Sequence, residues 1–156
     1  MAEPCQPRVR VQAEDFDAAL EIERLTAGRR DIGAVVTFTG RCRDEGGRLA
    51  ALELEHYPGM AEAQIRRIAE EAARRWALSG LSVIHRFGRL APGENIVLVV
   101  AASAHRRAAL EAADFLMDYL KSCAPFWKKE HLAGGGEGDW VAAKAEDEAA
   151  LERWRK

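Results

Sequence analysis

Apolar and polar positions change period several times along this chain. "RVRVQA" (8–13) alternates residue by residue, the period of a β-strand. "EDFDAALEIERLTAG" (14–28) predicts a helix, with acids in its first turn and Gly28 at its end. "GAVVTFTGRCR" (33–43) is β-branched and mostly apolar, which predicts a buried strand. The turn "DEGG" (44–47) separates it from another alternating strand, "RLAALELEHY" (48–57). Past "PGM" (58–60), Ile65, Ile68, Ala69, Ala72 and Trp76 recur at helical spacing. "LSVIHRFGRL" (81–90) and "ENIVLVVAAS" (94–103) then read as two strands around the turn "APGE" (91–94).

The segment 105–121 is the best amphipathic helix. Leu110, Ala113, Met117 and Leu120 form one face, and Arg107, Glu111, Asp114 and Asp118 the other. Pro125 disfavours helical geometry at Ala124, so "APFWKKEHL" (124–132) leaves as extended chain. A turn at "GGGEG" (134–138), a short strand at "DWVAAK" (139–144) and a terminal helix over about 145–155 complete the chain. Strands joined by hairpin-like turns and mixed with helices predict an α+β domain spanning residues 1–156, its strands mostly antiparallel.

Composition narrows the function. With 48% hydrophobic and 31% charged residues the chain is an ordinary globular protein, and its formal net charge of −2 supplies no global field for nucleic acid. No apolar run is long enough to cross a bilayer, and the start "MAEPCQPRVRVQAEDF" has no leader-like composition, so a cytoplasmic, membrane-free protein is expected. The three cysteines and four histidines lack metal-ligand spacing, which predicts no bound metal. Any anion site must be a local cluster of Lys and Arg.

Three segments offer one. "KSCAPFWKKEH" (121–131) puts Lys121, Lys128 and Lys129 beside a proline and two aromatics that should pin the backbone, as a positioned cation requires. The plain structural reading is a last-turn Lys121 paired with Asp118 and a solvated Lys128–Lys129. "SAHRR" (103–107) offers Ser103 as an N-cap with His105 and Arg106 in the first turn, either an anion-binding corner or a capped helix with exposed basic residues. "GRCR" (40–43) sets Arg41 and Arg43 on one face and Cys42 on the other; Cys42 reads as core packing rather than a reactive thiol.

Taken in order, "GAVVTFTGRCR", "LELEHYPGM", "VIHRFGRL", "SAHR", "FLMDYLKSCAPFWKKE" and "WV" resemble the large, catalytic subunit of molybdopterin synthase, the MoaE family, from about Gly33 to Val141. The resemblance implies an α+β fold of the α/β-hammerhead type and a homodimer at the centre of a heterotetramer. The implied activity is conversion of cyclic pyranopterin monophosphate to molybdopterin, with no cofactor. Its two sulfurs come from the thiocarboxylated Gly-Gly C-terminus of a small ubiquitin-like subunit. By the same resemblance Lys121 and Lys128 are the catalytic positions. Arg41, Cys42, Arg43, His105 and Arg106 match substrate-binding positions, and Lys129 and Glu130 complete the block. Cys42 needs no catalytic job, because the sulfur arrives on the partner's tail. A non-catalytic dimeric module binding a phosphorylated ligand through the same cations is the alternative. The chain departs from the family in its short "DEGG" turn and in Ala142 and Lys144.

Overall fold

The computed structural model describes residues 4–122, 126–138, 140 and 149–155. Two sheets carry the architecture. The first has the order β1 (Arg8–Gln12), β4 (Gly80–Arg86), β6 (Asn95–Ser103) and β2 (Ala34–Arg41); β1–β4 is parallel and the other pairings are antiparallel. The second is antiparallel, with β3 (Leu49–His56) between β5 (Gly88–Leu90) and β7 (Phe126–Leu132). The α+β arrangement with mainly antiparallel pairing is the one expected.

Alternation along β4 and β6 divides the core. Leu81, Val83, Val97, Val99 and Ala101 face α2 (Met60–Arg75) and α3 (Arg106–Ser122). Ile84, Leu98 and Val100 face α1 (Ala18–Thr26). Alanines at 69, 72, 73, 112 and 113 are buried in the larger cluster, so both helices sit close to the sheet and to each other. Glu21 of α1 is buried yet satisfied: Arg10 and Arg24 donate to it at 2.7 and 3.0 Å, and Ser82 Oγ at 3.2 Å.

Several boundaries and faces differ from the sequence expectation. The first helix starts at Ala18, because Asp17 caps it by accepting from Leu20 N at 3.1 Å. The stretch expected to be one strand over 81–90 is split: Gly88, at φ 97°, turns the chain from the first sheet into the second. The strand expected to be buried over 33–43 is an edge instead. Among the described residues it pairs only with β6, and Val35 and Phe38 are exposed. On α3 the buried face is Ala109, Ala112, Ala113, Phe115, Leu116 and Leu120, while Leu110 faces solvent. Small alanines let the helix lie against the sheet through that stripe, and the bulkier Leu110 is rotated out. The expected strand over 139–144 lies almost wholly outside the described residues, as does the start of the expected terminal helix; Leu151–Trp154 forms a 3₁₀ turn. No described helix is long and apolar enough to cross a membrane.

Candidate functional site

The strand end carrying Arg41 is built by close backbone approach. At Gly40 a Cβ would lie 2.7 Å from Val97 Cγ1, and the β2–β6 register shifts between Gly40 and Arg41. Such a bulge re-aims the side chain that follows. Cys42 N donates to Glu94 O and Gly93 N to Cys42 O, both at 2.8 Å, which clamps 41–43 against the 91–94 turn. Arg41 adds a hydrogen bond to Gly93 O. The Cys42 side chain stays inside, 4% exposed with Sγ 3.8 Å from Leu90 O, and burial raises its pKa. Arg43 is exposed just beyond.

Arg41 and Lys121 line one groove of about 420 Å³ between β2, β6 and the last turns of α3. Phe38, Ile96, Met117 and Leu120 supply its apolar wall, and His85 contributes from β4. The Lys121–Asp118 pairing of the plain structural reading is not made. Asp118 instead accepts from Arg153 at 2.7 Å and from Trp154 Nε1 at 2.6 Å. Lys121 is exposed and forms no ion pair with a described residue. The C-terminal turn thus occupies the acid that would otherwise hold this lysine, and the ammonium is left to the groove.

Strand β7 presents its residues alternately. Phe126, Lys128 and Glu130 lie opposite His56, Leu54 and Leu52 of β3, while Trp127, Lys129 and His131 take the other face. Phe126 stacks on His85, with ring centroids 3.9 Å apart at 16°. Lys128 therefore sits two residues from a ring that rests on the groove-lining imidazole, on the same strand face. Lys129 and Glu130 are engaged elsewhere. Lys129 pairs with Glu137 at 3.2 Å and lies over the Trp140 ring, and Glu130 accepts from Arg48 at 3.0 Å. That ion pair holds the Glu130 carboxyl below the usual range.

His105 and Arg106 stand at the other end of α3. Ser103 ends β6, and its Oγ accepts from His105 N at 3.4 Å, so His105 precedes the helix and Arg106 opens it. At 1.5 Å per residue, Arg106 and Lys121 are separated by roughly 22 Å along the helix. One chain therefore presents two cation groups, one at each end of α3. Sequence reasoning missed His85, reading it only as part of a strand. Its signal was a His-Arg pair interrupting an otherwise apolar run just before a glycine.

The model of the MoaE protein family matches residues 11–123. A molybdopterin synthase catalytic subunit from Mesorhizobium japonicum is 69% identical over 149 residues, covering 96% of this chain and 94% of that protein. Among solved structures, the molybdopterin cofactor biosynthesis protein E of Burkholderia multivorans superposes with a TM-score of 0.82 at 47% identity, covering 96% of this chain and 97% of the other. The molybdopterin synthase of Staphylococcus aureus superposes with a TM-score of 0.74 at 31% identity, covering 85% and 95%.

Proposed function

Since this chain belongs to the MoaE protein family and has the activity of a molybdopterin synthase catalytic subunit, we propose that its Arg41–Lys121 groove is where sulfur reaches the pterin. The substrate is cyclic pyranopterin monophosphate, and the donor is the thiocarboxylated C-terminal tail of a small ubiquitin-like subunit. Both are anions, and both need local cations on a protein whose net charge is −2. The observation that carries this reading is Lys121, with no ion pair among the described residues, beside Arg41 in a groove with an apolar wall.

Lys121 is the residue for the chemistry. Its ammonium stabilises the charge that develops, or moves a proton, as sulfur attacks and oxygen leaves. Arg41 and Arg43 take the phosphate. Lys128 steadies the tail carboxylate or the phosphate from β7. Lys129 and Glu130 complete the block by holding β7 to the 133–138 turn and to Arg48. Cys42 contributes backbone to the strand end and no thiol chemistry. A cytoplasmic site of action belongs to the same reading.

His105 and Arg106 join this site only in a homodimer. A separation of about 22 Å is more than one compact fused-ring substrate can bridge. Strand β2 runs from the His105 end of the molecule, where Ala34 pairs with Ser103, to the Lys121 end, where Arg41 pairs with Asn95. Two copies of this exposed edge pairing antiparallel about a two-fold axis would bring each copy's His105 end to the other's Lys121 end. The exposed Val35 and Phe38 support that use of the edge.

Reconstitution with a thiocarboxylated small subunit and the pterin tests the reading, with Lys121→Ala beside the unmodified chain. Dithiolene product from the unmodified chain, reduced about 100-fold or more in a variant that still binds the small subunit, is expected. Equal rates would move the chemistry away from Lys121. Tight pterin binding without product in the unmodified complex would favour a non-catalytic binding module.

A further inference from the structure

His85 lines the same groove without belonging to its cations. The residue is 8% exposed, and its ring is held on one face by the Phe126 stack. Nδ1 lies 2.8 Å from Arg86 O. A carbonyl can only accept, so Nδ1 carries the hydrogen and Nε2 the lone pair. Nε2 has no partner among the described residues. No buried side-chain nitrogen or oxygen among those residues lacks a partner, so Nε2 keeps some accessible surface on a residue that lines the groove. Burial favours the neutral imidazole, which fits this tautomer.

A neutral acceptor in the wall of a cationic groove discriminates by sign. Its lone pair repels phosphate and carboxylate oxygens, which Arg41 and Lys121 attract. The group that rests against it must be a donor. Building on the function proposed above, we propose that His85 Nε2 is the specificity element for the heterocycle: it accepts a hydrogen bond from a ring N–H or amino group of the reduced pterin. It thereby orients the substrate with its phosphate toward Arg41. Phe126 positions the imidazole, so the strand that brings Lys128 also sets the acceptor.

The test compares the unmodified chain, His85→Asn and His85→Gln, each in complex with the small subunit. Asparagine can keep the N–H bond to Arg86 O but stops short of the groove; glutamine returns an amide oxygen near the place of Nε2. His85→Asn is expected to raise KM for the pterin about tenfold, with kcat held within about threefold, and His85→Gln to recover most of the loss. Direct binding of a reduced pterin lacking phosphate should show the same tenfold dependence on His85, whereas binding of inorganic phosphate should depend on Arg41 and not on His85. Nitrogen NMR of the unmodified protein supplies a readout independent of any variant's folding: the Nε2 resonance should move on adding the phosphate-free pterin and stay in place with phosphate. Pterin binding unchanged in a folded His85→Asn, or an Nε2 resonance indifferent to the pterin, would overturn the proposal. An unmodified complex that binds pterin through His85 yet makes no dithiolene would overturn the proposed function and leave this inference standing.

Discussion

Replacing His85 with glutamine should change how stability depends on pH. In the folded protein burial pulls the His85 pKa from 6.5 to about 4; the Arg86 carbonyl opposes that shift and the charge of His56 adds to it. Arg41 and Lys121 line the same groove as the ring. Unfolding exposes the imidazole to water, where it takes up a proton near its ordinary pKa. Between about pH 6.5 and 4 the unfolded state therefore binds more protons, and stability falls as the pH falls through that window. Linkage puts the loss from this residue at about 2 kcal/mol by pH 5 and about 3 kcal/mol by pH 4, relative to pH 7. Urea unfolding of the unmodified chain and of His85→Gln at a series of pH values measures it. Every other ionisable group is common to both proteins, so only the change in the gap between the two curves counts. The unmodified chain should lose its advantage, or deepen its deficit, by that amount on acidification. Parallel curves from pH 7 to 4 would show that the ring is already hydrated in the folded state and would refute the argument.

Two further outcomes follow from the strand ends. Cys42 should resist alkylation in the folded protein and react in urea, because burial raises its pKa and its side chain is inside; Cys42→Ala should cost about 1–2 kcal/mol and leave dithiolene formation intact, measured by mass-resolved labelling and the reconstituted assay. Gly33→Ala should cost about 3 kcal/mol or more in urea unfolding, since a Cβ there would overlap the Ala104 carbonyl oxygen just where Gly33 N donates to Ser103 O at 2.9 Å; a loss under about 1 kcal/mol would mean that the start of β2 can move aside.

Much of the fold was legible because period is a local property. The alternation of 8–13 and 48–57 and the helical spacing of Ile65, Ile68, Ala69 and Ala72 need no tertiary information to be read. What was not legible depended on partners distant in sequence. "LSVIHRFGRL" has strand chemistry throughout, and only the pairing of Leu54 with Gly88 shows that its last three residues belong to another sheet. The apolar run of β2 predicted burial, yet an edge strand leaves one side of its ladder and part of its faces open. Leu110 fits a helical apolar stripe as well as Leu116 does, and the choice between them is made by how closely alanines allow α3 to approach the sheet. In the site, composition pointed to Lys121 and its neighbours. It could not show that Arg153 and Trp154, more than thirty residues on, would occupy Asp118. Nor could it show that an imidazole from β4 would meet the aromatic of β7.

The adjacent lysines of β7 bear on which insertions and deletions this chain can tolerate. A one-residue slip of the strand toward its N-terminus would exchange its faces and set Lys129 where Lys128 now lies, so the positive charge would survive that error. The neighbouring positions would not. Trp127 would meet His85 in place of Phe126, and His131 would be offered to Arg48 in place of Glu130. The doubled lysine thus makes the charge insensitive to that slip, while the aromatics before it and the acid after it make the frame itself selectable. A length change in the connection before Phe126 should therefore reveal itself first as misfolding or lost pterin orientation, and only later as a missing cation.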